Sequence, residues 1–168
     1  MVHPELVDVI PIYRTGQVVD PERADGSVAL IPGSDSFTRD GRSALSVLPG
    51  TPSEYVDAYR GTAVFPNVLL DVTGTSASLT ALFPVDPTTT VVVAEYLFSA
   101  ADAGAAGFDP SPVVDFSELV GKQDFDVCER VQRGVASLAF AGGALTAKDD
   151  LVAEFVEHYR STLTHRPT

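Results

Sequence analysis

Asp124 is the residue whose position in this chain asks most plainly for chemistry. Between Ser111 and Leu138, apolar side chains recur at Phe116, Val120, Cys128, Val131 and Val135. Those spacings keep to one face of a 3.6-residue helix. Asp124 falls in the same register, four residues after Val120 and four before Cys128. A carboxylate turned toward a core loses its hydration and needs a cation, a metal or several hydrogen-bond donors instead. Most such carboxylates are salt-bridged or mark a helix irregularity, so register alone leaves metal ligation open. Cys128 reads as a small core residue beside the site rather than a nucleophile. Val120, one turn before Asp124 on the same face, is a pocket wall or a packed core residue. His158 and His165 read as surface histidines, and His3 stands near the start.

The elements that must position Asp124 follow from pattern. Leu6 to Tyr13 suits an opening strand, and Asp25-Gly26 and Asp40-Gly41 are hairpin signals, because both tolerate positive φ. The first is flanked by 17–19 and 28–31, the second by 36–38 and 43–47. After a loop over 49–59, three stronger strands are predicted at 62–72, 76–85 and 88–98, punctuated by Thr73-Gly74 and Asp86-Pro87. Leu79, Ala81 and Phe83 alternate with Ser78, Thr80 and Leu82, so one face is the more apolar. Pro66 cannot donate to a ladder and implies an edge, a bulge or a break. Asp109-Pro110-Ser111-Pro112 then opens the long helix, which yields at Gly142-Gly143. Thr146 with Asp149 resembles a capping box for a final helix to about Leu163. Strands followed by a long helix predict an α+β fold, a curved antiparallel sheet wrapped around the long C-terminal helix with a cavity between them.

Composition narrows the classes. The chain has 168 residues, of which 45% are hydrophobic, enough for one core and too few for two. No apolar run approaches the length that spans a bilayer, and Pro4, Glu5 and Asp8 interrupt any leader-like segment. A soluble, cytoplasmic protein is expected. A formal charge of −12 argues against nucleic acid, since no basic stripe is present to displace counterions. It also fits docking of a basic redox partner. Cys128 is the one cysteine, which excludes an internal disulfide and a cysteine-ligated iron–sulfur cluster or multi-cysteine zinc site.

The segment Gln123-Asp124-Phe125-Asp126-Val127-Cys128-Glu129-Arg130-Val131-Gln132-Arg133-Gly134 resembles a signature of the Rieske-type non-heme iron oxygenases. Its family form is approximately Q-D-W-x-[IV]-C-E-x-x-Q-x-G, near the end of the large (alpha) subunit. Phe65-Pro66-Asn67, Leu82-Phe83-Pro84 and Val2-His3-Pro4-Glu5-Leu6 resemble further segments of that family, in the same order. The resemblance implies a helix-grip (START/Bet v 1-like) domain, incomplete at its N-terminus. It also implies one mononuclear Fe(II) held by two histidines and a carboxylate, a donor set suited to Fe(II) that leaves positions open for dioxygen. By motif the carboxylate is Asp124 and the second histidine is His3; Val120 and Cys128, on the same helix face as Asp124, are the substrate-pocket candidates. The implied reaction is O2-dependent hydroxylation, dihydroxylation or demethylation of a small aromatic or quaternary-amine substrate. Electrons would come from NAD(P)H through a reductase or ferredoxin. Trimers of large subunits are also implied, the cluster of one serving the iron of the next.

The departures from the family are specific. The complete family protein carries a 2Fe-2S cluster on C-x-H and C-x-x-H pairs, which one cysteine cannot supply. The other histidine of H-x4-H would precede Met1. The expectation is therefore a partial catalytic domain over 1–168 without a Rieske cluster domain, inactive alone and served by an N-terminal Rieske-containing polypeptide. Phe125 stands where tryptophan is usual, and Gly121 where asparagine is frequent. Two other readings stay open: a non-catalytic small-ligand-binding module of the same fold, and an inactive fragment.

Overall fold

The computed structural model describes residues 27–30, 32–146 and 149–164. His3, the opening strand, the 17–19 strand and the Asp25-Gly26 turn lie outside them. By internal contacts the chain divides into two units, Met1–Glu129 and Arg130–Thr168. The first holds β1 (Val28–Ala29), a 3-10 turn (Ser53–Tyr55), β2 (Ala58–Val64), β3 (Val68–Val72), β4 (Ala77–Asp86), β5 (Thr89–Leu97) and the short α1 (Ala100–Ala103). It also holds most of α2 (Ser111–Val135), and α3 (Asp150–Thr164) belongs to the second. No helix among the described residues is long and apolar enough to cross a membrane.

The strands form a five-stranded antiparallel meander in the order β1-β2-β3-β4-β5. The strand expected over 62–72 is two strands, parted at the cis Phe65–Pro66 bond. Pro66 thus marks a hairpin turn, where its missing N–H costs the ladder nothing. The Asn67 side chain donates to the Leu82 carbonyl (2.8 Å) and ties that turn to β4. Asp86 closes the β4–β5 turn by accepting from the Thr88 amide (2.7 Å) and hydroxyl (2.8 Å).

The Asp40-Gly41 turn forms, with Gly41 at φ 74°, but its expected flanking strands do not. Side chains have taken their place. Thr38 Oγ1 donates to the Arg42 carbonyl (2.8 Å), the Arg42 amide donates to Asp40, and the Ser43 amide donates to Asp35. Local hydroxyls and carboxylates offer the backbone an alternative to a ladder. This loop is anchored by a knot of buried hydroxyls. Thr75 Oγ1 donates to Ser36 Oγ (3.0 Å), and Thr73 and Ser76 bond each other across the β3–β4 turn. Gly74 makes that turn fit, since a Cβ there would fall on the Val56 carbonyl.

Helix α2 starts where expected, with the Ser111 amide on Asp109 Oδ1 (3.0 Å), and ends at Val135 rather than Leu138. In the second unit, α3 has no buried residue, and its Phe155 and Tyr159 rings stack 6.5 Å apart. The Thr146–Asp149 pair forms ahead of that helix, with the Thr146 amide and hydroxyl both donating to Asp149 (2.8 Å each).

The core of the first unit is Leu30 and Phe116, with Val28, Phe37, Tyr59 and Val120 packed against them. Phe37 meets Phe116 edge-on at 5.0 Å and stacks on Tyr59 at 5.8 Å. Val28 and Tyr59 are paired neighbours on one sheet face, so that face is the one turned toward α2. Strand register carries it across the sheet as the row Gly61, Asp71, Ser78, Tyr96 and the row Ala63, Leu69, Thr80, Ala94. The more apolar face, with Leu79, Ala81 and Phe83, points the other way. There Val64, Phe83, Val91, Val93 and Leu97 are all exposed. Among the described residues the helix-facing side therefore mixes Asp71, Ser78, Thr80 and Tyr96 with Ala63, Leu69 and Ala94, while the larger share of the sheet's aliphatics faces outward, unlike an ordinary two-layer core.

Candidate functional site

Helix α2 carries the segment from Gln123 to Gly134 as continuous helix. The register of Val120, Asp124 and Cys128 is therefore real: the three lie one above another. Burial along it is uneven. Phe116 is 1% exposed and Val120 is half-buried in the core cluster, whereas Asp124 and Cys128 are exposed and Val131 is 58% exposed. The expected core-facing carboxylate is thus on an exposed stretch, and Cys128 is an exposed thiol rather than a small core residue. The reason is one of length. A 25-residue helix runs about 37 Å, and among the described residues its core partners, buried Leu30 and half-buried Phe37 and Tyr59, meet its first half. Among the described residues, a Cβ on Gly121, just before Asp124, would meet only the Phe125 ring, at 3.8 Å.

His158 is exposed, as expected, and His165 lies outside the described residues, as does His3. No group of three or more His, Cys, Asp or Glu among the described residues could hold a metal ion. Asp124 is the one expected ligand among them, and these residues alone do not compose an iron site.

The helix-facing side of the sheet holds a polar arrangement that the sequence reading missed. Asp71, on β3, accepts a hydrogen bond at Oδ1 from the Tyr59 hydroxyl, at 2.6 Å. Burial pushes the Asp71 carboxyl above the usual carboxylate range, and the Tyr59 bond opposes that only in part. A Cβ on Gly61 would lie 2.9 Å from the Tyr59 hydroxyl and 3.2 Å from Asp71 Oδ1, so the absence of a side chain there lets the pair close. Farther along the same row, burial first and the charge of Glu118 on α2 second push the Tyr96 phenol up. The signal was available: in Val68-Leu69-Leu70-Asp71-Val72 a carboxylate interrupts an apolar strand, as unusual there as Asp124 is in its stripe.

A separate hollow of about 240 Å³ is lined by Ser43, Leu45, Asp102, Phe108 and Val113, among others. Both of its ionisable groups are already engaged: Asp109 by the Ser111 amide at 3.0 Å, and Asp102 by the Ser46 amide and by the Ser46 and Ser99 hydroxyls at 2.7–2.9 Å. Those bonds hold the Asp102 carboxyl below the usual range, as befits a clamp between loop and α1 rather than a reactive group.

Comparison with known proteins supplies what geometry leaves open. No curated protein matches the chain. The family model described as ring hydroxylating alpha subunit (catalytic domain) matches residues 1–165. That span takes in His3, the strands and α2 with its Gln123–Gly134 segment. This chain belongs to the ring-hydroxylating alpha-subunit family, an oxygenase family, and corresponds to its catalytic domain.

Proposed function

We propose that the protein serves O2-dependent hydroxylation, dihydroxylation or demethylation of a small organic substrate at a mononuclear Fe(II). Asp124 supplies the carboxylate ligand and His3 an imidazole. The observation that carries this reading is the family match over residues 1–165; the span includes the Gln123–Gly134 segment, whose resemblance assigns Asp124 as the carboxylate ligand. Iron, when bound, supplies the activation of dioxygen. The chain's own residues would bind and orient the substrate. Val120, half-buried where α2 meets the core, is the pocket wall one turn from Asp124. Electrons would come from NAD(P)H through a reductase and a 2Fe-2S cluster, whose cysteine ligands are not within these 168 residues.

Anaerobic Fe(II) reconstitution followed by elemental analysis tests this, on the chain alone and with a cluster-bearing polypeptide co-expressed. Near-stoichiometric iron that is lost in both Asp124→Ala and His3→Ala is the expected result. Iron retained in both variants, or none bound under either condition, overturns the reading. The latter would put a non-catalytic ligand-binding module in its place.

A further inference from the structure

The helix-facing row of the sheet contains a carboxylate that the iron chemistry does not use. Asp71 Oδ1 is taken by Tyr59, but among the described residues Oδ2 has no donor and no cation pairs with the group. A half-buried carboxylate with an idle oxygen is expensive to maintain and calls for an explanation. The row continues through Ser78 to Tyr96, two strands from Asp71, or about 10 Å at ordinary strand spacing. The negative charge of Glu118 on α2 bears on the Tyr96 phenol. The surface between sheet and helix is therefore negative, edged by two tyrosine rings, and carries neither Lys nor Arg in its two central rows. Carboxylate oxygens and tyrosine faces are the groups that receive an organic cation.

We propose that Asp71, positioned by Tyr59, is a specificity-determining residue that selects substrates bearing a protonated amine. The ammonium N–H is taken on Oδ2, and the carbon skeleton lies toward Tyr96. This rests on the oxygenase reading only in taking the helix-facing side of the sheet as the substrate surface. Gly61 is part of the device, since a side chain there would separate Tyr59 from Asp71.

The test is equilibrium binding to the full chain at neutral pH, followed by amide chemical shifts. The probes are benzylammonium, benzyl alcohol of nearly the same shape, and benzoate. Benzylammonium should bind at least about tenfold more tightly than benzyl alcohol, with benzoate weakest. Asp71→Asn should abolish the preference, Asp71→Glu should restore part of it, and Tyr59→Phe should weaken it. Equal affinities in the unaltered chain, a preference that survives Asp71→Asn, or no binding of any probe overturns the proposal. Because iron content is read separately through Asp124, the two failures are distinguishable. Asp124-dependent iron without amine selectivity sinks this inference alone. Amine selectivity without iron sinks the oxygenase reading and leaves an amine-binding module.

Discussion

Replacing Phe116 by alanine measures how far the sheet depends on α2. The Phe116 side chain is 1% exposed, packs on Leu30 and meets Phe37 edge-on at 5.0 Å. Returning a phenyl group of that size to water costs about 2–3 kcal/mol, and the lost edge contact adds about 0.5–1.5 kcal/mol. The total of about 2.5–4.5 kcal/mol overlaps the range seen when large aromatic core residues are truncated. Few large apolar side chains share the load, because Leu30 and Val113 are the other fully buried ones of any size among the described residues. Set against a typical stability of about 5–15 kcal/mol, the loss should leave a marginal fold. Urea unfolding followed by tyrosine fluorescence and far-UV circular dichroism reads it out. With a slope of about 2 kcal/mol per molar, the midpoint should drop by about 1–2 M. Val131→Ala, on the same helix but 58% exposed, should change stability by less than about 0.5 kcal/mol. A Phe116→Ala loss below about 1 kcal/mol, or an equal loss in Val131→Ala, would refute the view that α2 is held by its first half.

Two further outcomes are expected. Gly121→Ala should stabilise the chain by about 0.5–1 kcal/mol in the same assay, since a Cβ there meets only the Phe125 ring at ordinary contact distance. A loss would mean that something else occupies that side of the helix. The Asp102 clamp should be acid-sensitive. Its folded carboxyl titrates below the unfolded value of about 3.9, so its contribution is complete above that pH and is lost as pH falls through the lower folded value. Exchange of the Ser46 amide, corrected for its intrinsic rate, should accelerate in Asp102→Asn at neutral pH and in the unaltered chain only in acid. Equal Ser46 protection in both proteins at neutral pH would refute the clamp.

What sequence could reveal here was set by the range of the forces involved. Strands β4 and β5 and the start of α2 were legible because alternation, turn residues and an Asp-Pro cap are local signals. The break at Pro66 was legible too, but not its result, because whether a proline ends a strand or edges it depends on the partner strand. The 36–38 and 43–47 segments read as strands and are loop, since Thr38, Asp35 and Asp40 satisfy the backbone from within. Helical periodicity placed Asp124 in register with Val120, which is correct. It could not report that the core partners among the described residues end near Val120, because burial belongs to the facing element. Asp71 was overlooked for a related reason: which face of a strand looks inward is a tertiary fact, and here the inward face is the more polar one.

The hydroxyl knot that joins Ser36 and Thr75, with Thr73 and Ser76 beside it, has a consequence for an acidic protein. Serine and threonine hydroxyls neither gain nor lose a proton over any pH a protein survives. In a chain of net charge −12, acid and salt alter nearly every surface interaction, yet they find nothing to titrate or screen where the loop meets the β3–β4 turn. At that junction the loop is thus held by groups that do not ionise, and acid is left to act on the Asp102 clamp at Ser46 and on the other carboxylates around it.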